Sequence, residues 1–308
     1  MQETVDVVAI LCSDIHLSQN KPVARQDKDD WFLVMREHLD ELGEIATEHE
    51  VPIIFAGDLF DHWKSAPELI NFAMNRLPQM YTIPGQHDLP NHNYEEINRS
   101  AYRTLSQAGR IMDMIPTKSC SITSKGHHIS VRAFPWGFLI KPADDPNADI
   151  KLAVVHAYIW REGYGFHGAP VDRNVTEYDK QLASYDAAVF GDNHIPFQYT
   201  TSTGCHVMNT GGFMRRRADD VKWNPGVGLL MSDGTIIRQE LECAKLDVIS
   251  REHITDERLI NDGLKDFVTY LSETQKDSLD FEAAVKEYMT SHDVSQSVRT
   301  IITEAMGR

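Results

Sequence analysis

The stretch Val51–Trp63, VPIIFAGDLFDHW, decides how the rest of the chain is read. Its first half is a short apolar run rich in branched residues, the pattern of a buried parallel strand. Gly57 lets the backbone turn sharply at the strand's exit and leaves Asp58 there, where open α/β sheets bind ligands. Four more predicted strands end the same way. Val5–Cys12 runs into Asp14-Ile15-His16, and Met80–Pro84 into Gly85-Gln86-His87-Asp88. Leu152–Val155 ends in His156, and Ala187–Phe190 in Gly191-Asp192-Asn193-His194.

Between the first three strands lie helical patterns. Met35, Leu39, Leu42 and Ala46 keep a three-to-four spacing in a helix expected over Trp31–Glu48. A second helix, Pro67–Leu77, has proline in its first turn and Ser65 as its cap. A third is expected over Tyr94–Ala108, ending near Gly109, where a left-handed residue is cheapest. Strands alternating with helices imply parallel pairing and right-handed crossovers. From Ile111 the segments become short and alternating, which predicts antiparallel strands of a second sheet. The segments 205–209, 226–231 and 235–241 continue in the same style. Segments 134–150 and 160–177 read as loops. Beyond about Glu252 only helical patterns remain, Asp256–Ser272, Ser278–Thr290 and Val294–Met306. The expected organisation is therefore α/β: residues 1–250 as a two-sheet sandwich flanked by helices, and 251–308 as a helical C-terminal appendage.

Composition sets limits. A chain of 308 residues with 42% apolar content can bury a large core. No apolar run of bilayer-spanning length occurs and no leader precedes the first strand, so no membrane association and a cytoplasmic location are expected. Cys12, Cys120, Cys205 and Cys243 lack paired spacing, so buried free thiols are expected rather than disulfides or a thiolate metal site. A formal net charge of -16 argues against gripping nucleic acid by bulk electrostatics. Local cations, as at Arg215-Arg216-Arg217, and an acidic metal site remain routes to phosphate. Carboxylates and histidines gathered at several strand exits would repel unless compensated, and a cation is the natural compensation.

The order and spacing of Asp14-x-His16, Gly57-Asp58-x-x-Asp61, Gly85-Gln86-His87-Asp88, His156 and Gly191-Asp192-x-His194 resemble the calcineurin-like metallophosphoesterase superfamily. The resemblance spans roughly Val5–Leu241. Within that superfamily the runs Gly-Asp-Leu-Phe-Asp and His-Asp-Leu-Pro look most like the SbcD-type nuclease subunit of DNA double-strand-break repair, including phage-encoded relatives. Asn209–Phe213 followed by arginines points the same way. The resemblance implies two divalent metal ions, manganese for preference with iron or zinc as alternatives, bridged by Asp58. The first would also take Asp14, His16 and His194; the second would take Gln86, His156 and Asp192. His87 would protonate the leaving oxygen or stabilise the transition state, and Asp61 would orient His87 by accepting its ring proton. Two positions depart from the family: Gln86 stands where asparagine is usual, and Asp192 where histidine is usual. Both fall on the second metal, which is expected to be a harder, more manganese-preferring site.

The same resemblance implies DNA as substrate, an SbcC-type coiled-coil ATPase as partner docked through the C-terminal helices, and a homodimer formed through the helices of 67–108. The alternative reading is a phosphodiesterase or phosphatase acting on a small substrate with the same metals. A third, from another class, is an inactive scaffold that keeps the fold as a binding surface.

Overall fold

In the first strand, β1 (Val7–Cys12), side chains alternate between two cores: Ala9 and Leu11 enter one apolar cluster, Ile10 and Cys12 another. The same parity holds in β2 (Ile53–Phe55), where Ile54 goes one way and Ile53 and Phe55 the other. Successive strand residues point to opposite faces, so a sheet buried on both sides needs such unbroken apolar runs. This computed structural model describes residues 5–25, 30–116, 118–166, 168–247 and 249, and towards the C-terminus 285, 288–290, 294 and 296–306. The chain divides into two compact units, Met1–Ile249 and Ser250–Arg308.

The first unit holds two six-stranded mixed sheets among the described residues. β1 and β2 pair in parallel with each other, followed by β3 (Met80–Thr82) and β4 (Met112–Asp113). The second sheet begins with the antiparallel pair β5 (Ser119–Ser124) and β6 (His127–Phe134). It continues in parallel through β7 (Ile150–His156), β8 (Ala187–Gly191) and β10 (His206–Asn209), and closes with β9 (Phe197–Thr200) antiparallel to β10. Between the sheets lie Val8, Ile54, Ile83, Val131, Leu152, Val154 and Val189. Outside the first sheet pack α1 (Trp31–His49), α2 (Pro67–Arg76) and α3 (Ala101–Gln107). Outside the second, Val175, Tyr178 and Leu182 from short 3-10 turns and loops cover Val155 and Phe190. Each fully buried aliphatic or aromatic side chain in these layers contributes about 1.5–3 kcal/mol over leaving it in water.

Several expectations are corrected. The second sheet is parallel at its centre and antiparallel only at its edges. Its central strands β7 and β8 are buried and largely apolar on both faces, as parallel strands covered on both sides must be. The strands β11 (Gly226–Met231) and β12 (Ile236–Glu240) do not extend that sheet; β11 pairs antiparallel with β1 and carries β12 outside it. Helix α3 is shorter than expected because Ser100 interrupts it. The Ser100 hydroxyl accepts from Arg103 N at 3.1 Å as the cap of α3, while Tyr94–Arg99 is a 3-10 turn. Gly109 does adopt the left-handed conformation, φ 70°. Ser65 does not cap α2; Ala66 occupies that position, and Ser65 Oγ donates to the His62 carbonyl instead.

All four cysteines are free. No described helix is long and apolar enough to cross a membrane. Of the expected C-terminal helices, 256–272 lies outside the described residues, as does most of 278–290. The last is present as α4 (Gln296–Met306), and Val298 and Ile302 pack with Val285, Tyr288 and Val294 inside their own unit.

Candidate metal centre

The first sheet delivers Asp14 and His16 just past β1, Asp58 past β2 and Gln86 past β3; the second delivers His156 at the end of β7 and Asp192 and His194 past β8. All seven predicted ligands come together. Asp14, His16 and His194 offer atoms within 4.8 Å of one another, as do His16, Asp58 and His87, and Asp14, Asp58 and His156. Gln86 joins them: its Oε1 lies 2.6 Å from His156 Nε2 and its Nε2 lies 2.5 Å from Asp192 Oδ1. The longer amide of glutamine therefore reaches the cluster, and reaches Asp192 as well.

Bringing these groups together bends the backbone. Asp14, His16, Asp58 and Asp192 all have positive φ, at 55°, 49°, 60° and 95°. Aspartate and histidine enter the left-handed region more readily than most residues, yet each non-glycine residue held there carries strain of about 1–3 kcal/mol. Gly57 (φ 96°) and Gly85 supply the clearance. A Cβ on Gly57 would stand 2.6 Å from His156 Cγ, and one on Gly85 would collide with Asp58 Oδ1.

The donor set fits a pair of divalent cations. His156 Nδ1 lies 2.6 Å from the Ala56 carbonyl, which fixes the ring so that Nε2 presents its lone pair to the cluster. That Nε2 faces the acceptors Gln86 Oε1 and, at 3.4 Å, Asp58 Oδ2. His16 Nε2 and His194 Nε2 approach within 3.1 Å. Asp58 Oδ2 is buried with no hydrogen-bond partner among the described residues. Lone pairs converging on common points need positive charge between them. The electrostatics agree. Burial opposes ionisation of Asp58, but His156, His16 and His87 outweigh it and hold the carboxyl far below its usual range. Burial likewise opposes protonation of His156, yet Asp58, Asp14 and Asp192 carry its pKa up to about 10. Without a cation, protons on imidazole are what these carboxylates demand.

A second ring of groups orients these ligands. The Asp192 N–H reaches both Asp14 oxygens at 3.1 Å, and Ser13 Oγ donates to Asp14 Oδ2 while lying 2.5 Å from Thr210 Oγ1. The His87 N–H donates to Asp58 Oδ1 at 2.9 Å. Asp88, wholly buried, accepts from the N–H groups of Leu59, Phe60 and Gly85 at 3.1, 2.9 and 3.0 Å, locking the Asp58 loop to the Gln86 loop. Burial and the neighbouring Asp58 push the Asp88 carboxyl up to about 7. Asn209 Nδ2 holds the carbonyls of Asn193 and Ile195 and fixes the His194 turn. Asp88, Asn209 and Thr210 stand within the runs quoted from the sequence but were given no role there, and neither was Ser13. Their one legible signal is a polar residue at the end of an apolar strand.

Asp61 does reach His87, by a different atom from the one expected. His87 Nδ1 lies 2.8 Å from the Asp61 backbone carbonyl, while the Asp61 carboxylate takes Arg216 Nη1 at 2.8 Å and stands 3.7 Å from His16 Nδ1. Arg216 also donates to the His16 carbonyl at 2.9 Å, so it braces both neighbours. Of the aromatic residues in the long loops, Trp136 stands edge-on to His156 with ring centres 6.5 Å apart, and Tyr158 contacts Phe166. Trp160 donates its indole N–H to Pro170 O and Tyr164 packs on Phe197 and Trp223. Above the cluster opens a cavity of about 1000 Å³, lined by His16, Asp58, Gln86, His87, Asp192 and His194 below and by Tyr158, Phe166, Arg216, Arg217, Lys222 and Trp223 at its walls.

A family model for calcineurin-like phosphoesterases matches residues 8–196. No curated protein matches the chain in sequence. Among solved structures, an archaeal phosphodiesterase is 13% identical at a TM-score of 0.37, with 76% of this chain and 99% of that one covered. A 5'-nucleotidase from Candida albicans SC5314 is also 13% identical, at a TM-score of 0.47, covering 82% of this chain and 56% of that one.

Proposed function

Since the chain belongs to the calcineurin-like phosphoesterase family, we propose that it is a two-metal phosphodiesterase acting on a small substrate of nucleotide size. The observation that carries this reading is the walled cavity of about 1000 Å³ directly over the ligand cluster. That volume lies at the upper end of sites that enclose small molecules. The net charge of -16 supports it, since a long polyanion would be repelled outside the cavity.

In this reading Asp14, His16, Asp58 and His194 hold one cation, and Asp58, Gln86, His156 and Asp192 the other. When bound, such a pair lowers the pKa of water and neutralises the oxygens of a phosphoryl group. The protein's own groups do the rest. His87, exposed at the cavity floor with Nδ1 fixed on the Asp61 carbonyl, keeps Nε2 for the oxygen that departs from phosphorus, delivering the proton it needs. Asp61 and Arg216 keep that histidine and His16 in register. Asp192, an oxygen ligand where the family uses imidazole, makes the second position the harder of the two and favours manganese.

A second reading, cleavage of DNA ends by an SbcD-like nuclease, is favoured by the cations Arg216, Arg217 and Lys222 along the wall. It brings with it the proposed coiled-coil ATPase partner and homodimer. One experiment separates the readings. Manganese-loaded protein is offered bis(p-nitrophenyl) phosphate, a cyclic nucleotide, and linear single- and double-stranded DNA. Hydrolysis of the small esters, reduced about 10²–10⁴-fold in His87→Ala with metal content retained, supports the first reading. Cleavage confined to DNA supports the second, and no hydrolysis of any substrate overturns both.

A further inference from the structure

Arg215, Arg216 and Arg217 are consecutive but chemically unequal. Arg215 is consumed by the fold: Nε donates to Trp223 O at 3.1 Å, Nη2 to Asn224 Oδ1 at 2.5 Å, and Nη1 to Ala244 O. Arg216 is consumed by Asp61 and His16 O, as above. Arg217 differs. Its side chain is exposed and has no hydrogen bond or ion pair among the described residues, yet it lines the cavity together with His194. Its backbone is not loose, because Asp220 Oδ2 accepts from the N–H groups of both Arg216 and Arg217, at 2.8 and 2.7 Å. The neighbouring cation Lys222 is engaged with Asp219 at 3.6 Å. A guanidinium mounted on a pinned backbone, facing the cavity beside the ligand cluster together with the carboxylates of Asp219 and Asp220, has its planar fork open to an anion, and that fork matches phosphate oxygens.

We infer that Arg217 holds a second phosphate of the substrate, one linkage from the phosphoryl group at the metal pair, so that this site prefers nucleotides carrying at least two phosphates. The inference rests on the phosphodiesterase reading for the position of the first phosphate. It goes beyond that reading by assigning specificity to one of three adjacent arginines. The same chemistry occurs in a short oligonucleotide and in a nucleoside bisphosphate, since each places a further phosphate next to the first.

The test measures binding, independently of turnover. Calorimetric titration of the manganese-loaded protein compares thymidine 3′,5′-bisphosphate with thymidine 5′-monophosphate. Wild type is expected to bind the bisphosphate about 10-fold more tightly or better, as charge-assisted hydrogen bonding allows. Arg217→Ala should abolish that preference and Arg217→Lys should retain part of it. Equal affinity of wild type for the two ligands, or an undiminished preference in Arg217→Ala, overturns the inference. A bisphosphate preference in a protein that hydrolyses nothing would sink the phosphodiesterase reading and leave this assignment standing. Turnover without the preference would do the reverse.

Discussion

Replacing Gly57 with alanine tests how tightly the two sheets are set around the cluster. At φ 96° the new methyl falls in the left-handed region, which costs an L-residue about 1–2 kcal/mol. It would also stand 2.6 Å from His156 Cγ, closer than real Cβ atoms come, and 3.0 Å from Gly85 N. The imidazole must swing away, and the Ala56 carbonyl it contacts at 2.6 Å is left without its partner, at about 1–3 kcal/mol. The sum is about 2–5 kcal/mol. Gly109 provides a matched control, with φ 70° and open space where its Cβ would lie. Gly109→Ala should lose at most about 1 kcal/mol, because restriction of the unfolded chain returns part of the backbone strain. For a unit of this size each kcal/mol moves Tm by about 2–4 °C, so Gly57→Ala should melt about 10 °C below wild type in EDTA and Gly109→Ala within about 3 °C. Manganese titration should then find Gly57→Ala weakened at the position that includes His156. Equal melting temperatures for the two variants, with metal binding intact in both, would refute the reasoning.

Three further outcomes follow from the structure. Arg216→Ala should weaken manganese binding about 10–100-fold by releasing Asp61 and the His16 carbonyl, as loss of a ligand's supporting hydrogen bonds does, and Arg216→Lys should restore little of it; affinity within twofold of wild type would count against that role. Burial opposes ionisation of Glu41, but the Cys243 thiol and the N–H groups of Cys243 and Glu242, the latter two at 2.8 and 2.6 Å, outweigh it and hold its carboxyl below the usual range. Its contribution to stability is therefore complete above the unfolded-state pKa and is lost as pH falls through the depressed folded value, so Glu41→Gln should be less stable than wild type at neutral pH and converge with it in acid; a pH-independent offset in urea titrations would contradict this. Manganese in 100-fold excess over its dissociation constant should stabilise the EDTA-stripped protein by about 2.7 kcal/mol per site, and a Tm indifferent to manganese would exclude binding to the folded state.

Much of this architecture was legible because strand exits announce themselves. Apolar runs such as Ile53–Phe55 and Ala187–Gly191, each followed by glycine or a turn and then Asp or His, placed the ligand-bearing loops in the correct order. What one chain's pattern could not convey was pairing across long sequence separations. The register of β1 against β11 joins residues more than two hundred positions apart, and nothing in Gly226–Met231 distinguishes a strand of the first sheet from one of the second. The direction of the central second-sheet strands was misread because short segments with polar ends mimic hairpins, whereas burial on both faces becomes visible only after folding. At the site, the family resemblance implied that Asp61 would accept the His87 ring proton, but not that its backbone carbonyl would do so while its carboxylate turns to Arg216. The left-handed backbone at His16 was likewise invisible, since histidine's raised tendency to enter that region does not mark out one position among fourteen.

The candidate ligands come from loops of both sheets, so a bound cation pair would act as a rivet through the sandwich. Packing errors at residues that touch no cation, for instance a shortened Val154 or Ile54 in the layer between the sheets, would let one sheet slide against the other. The spacing of the two positions would then change before the fold was lost. Metal affinity would thus gauge interior fit, and variants selected for tighter metal retention should accumulate changes in that hidden layer as often as around the cavity.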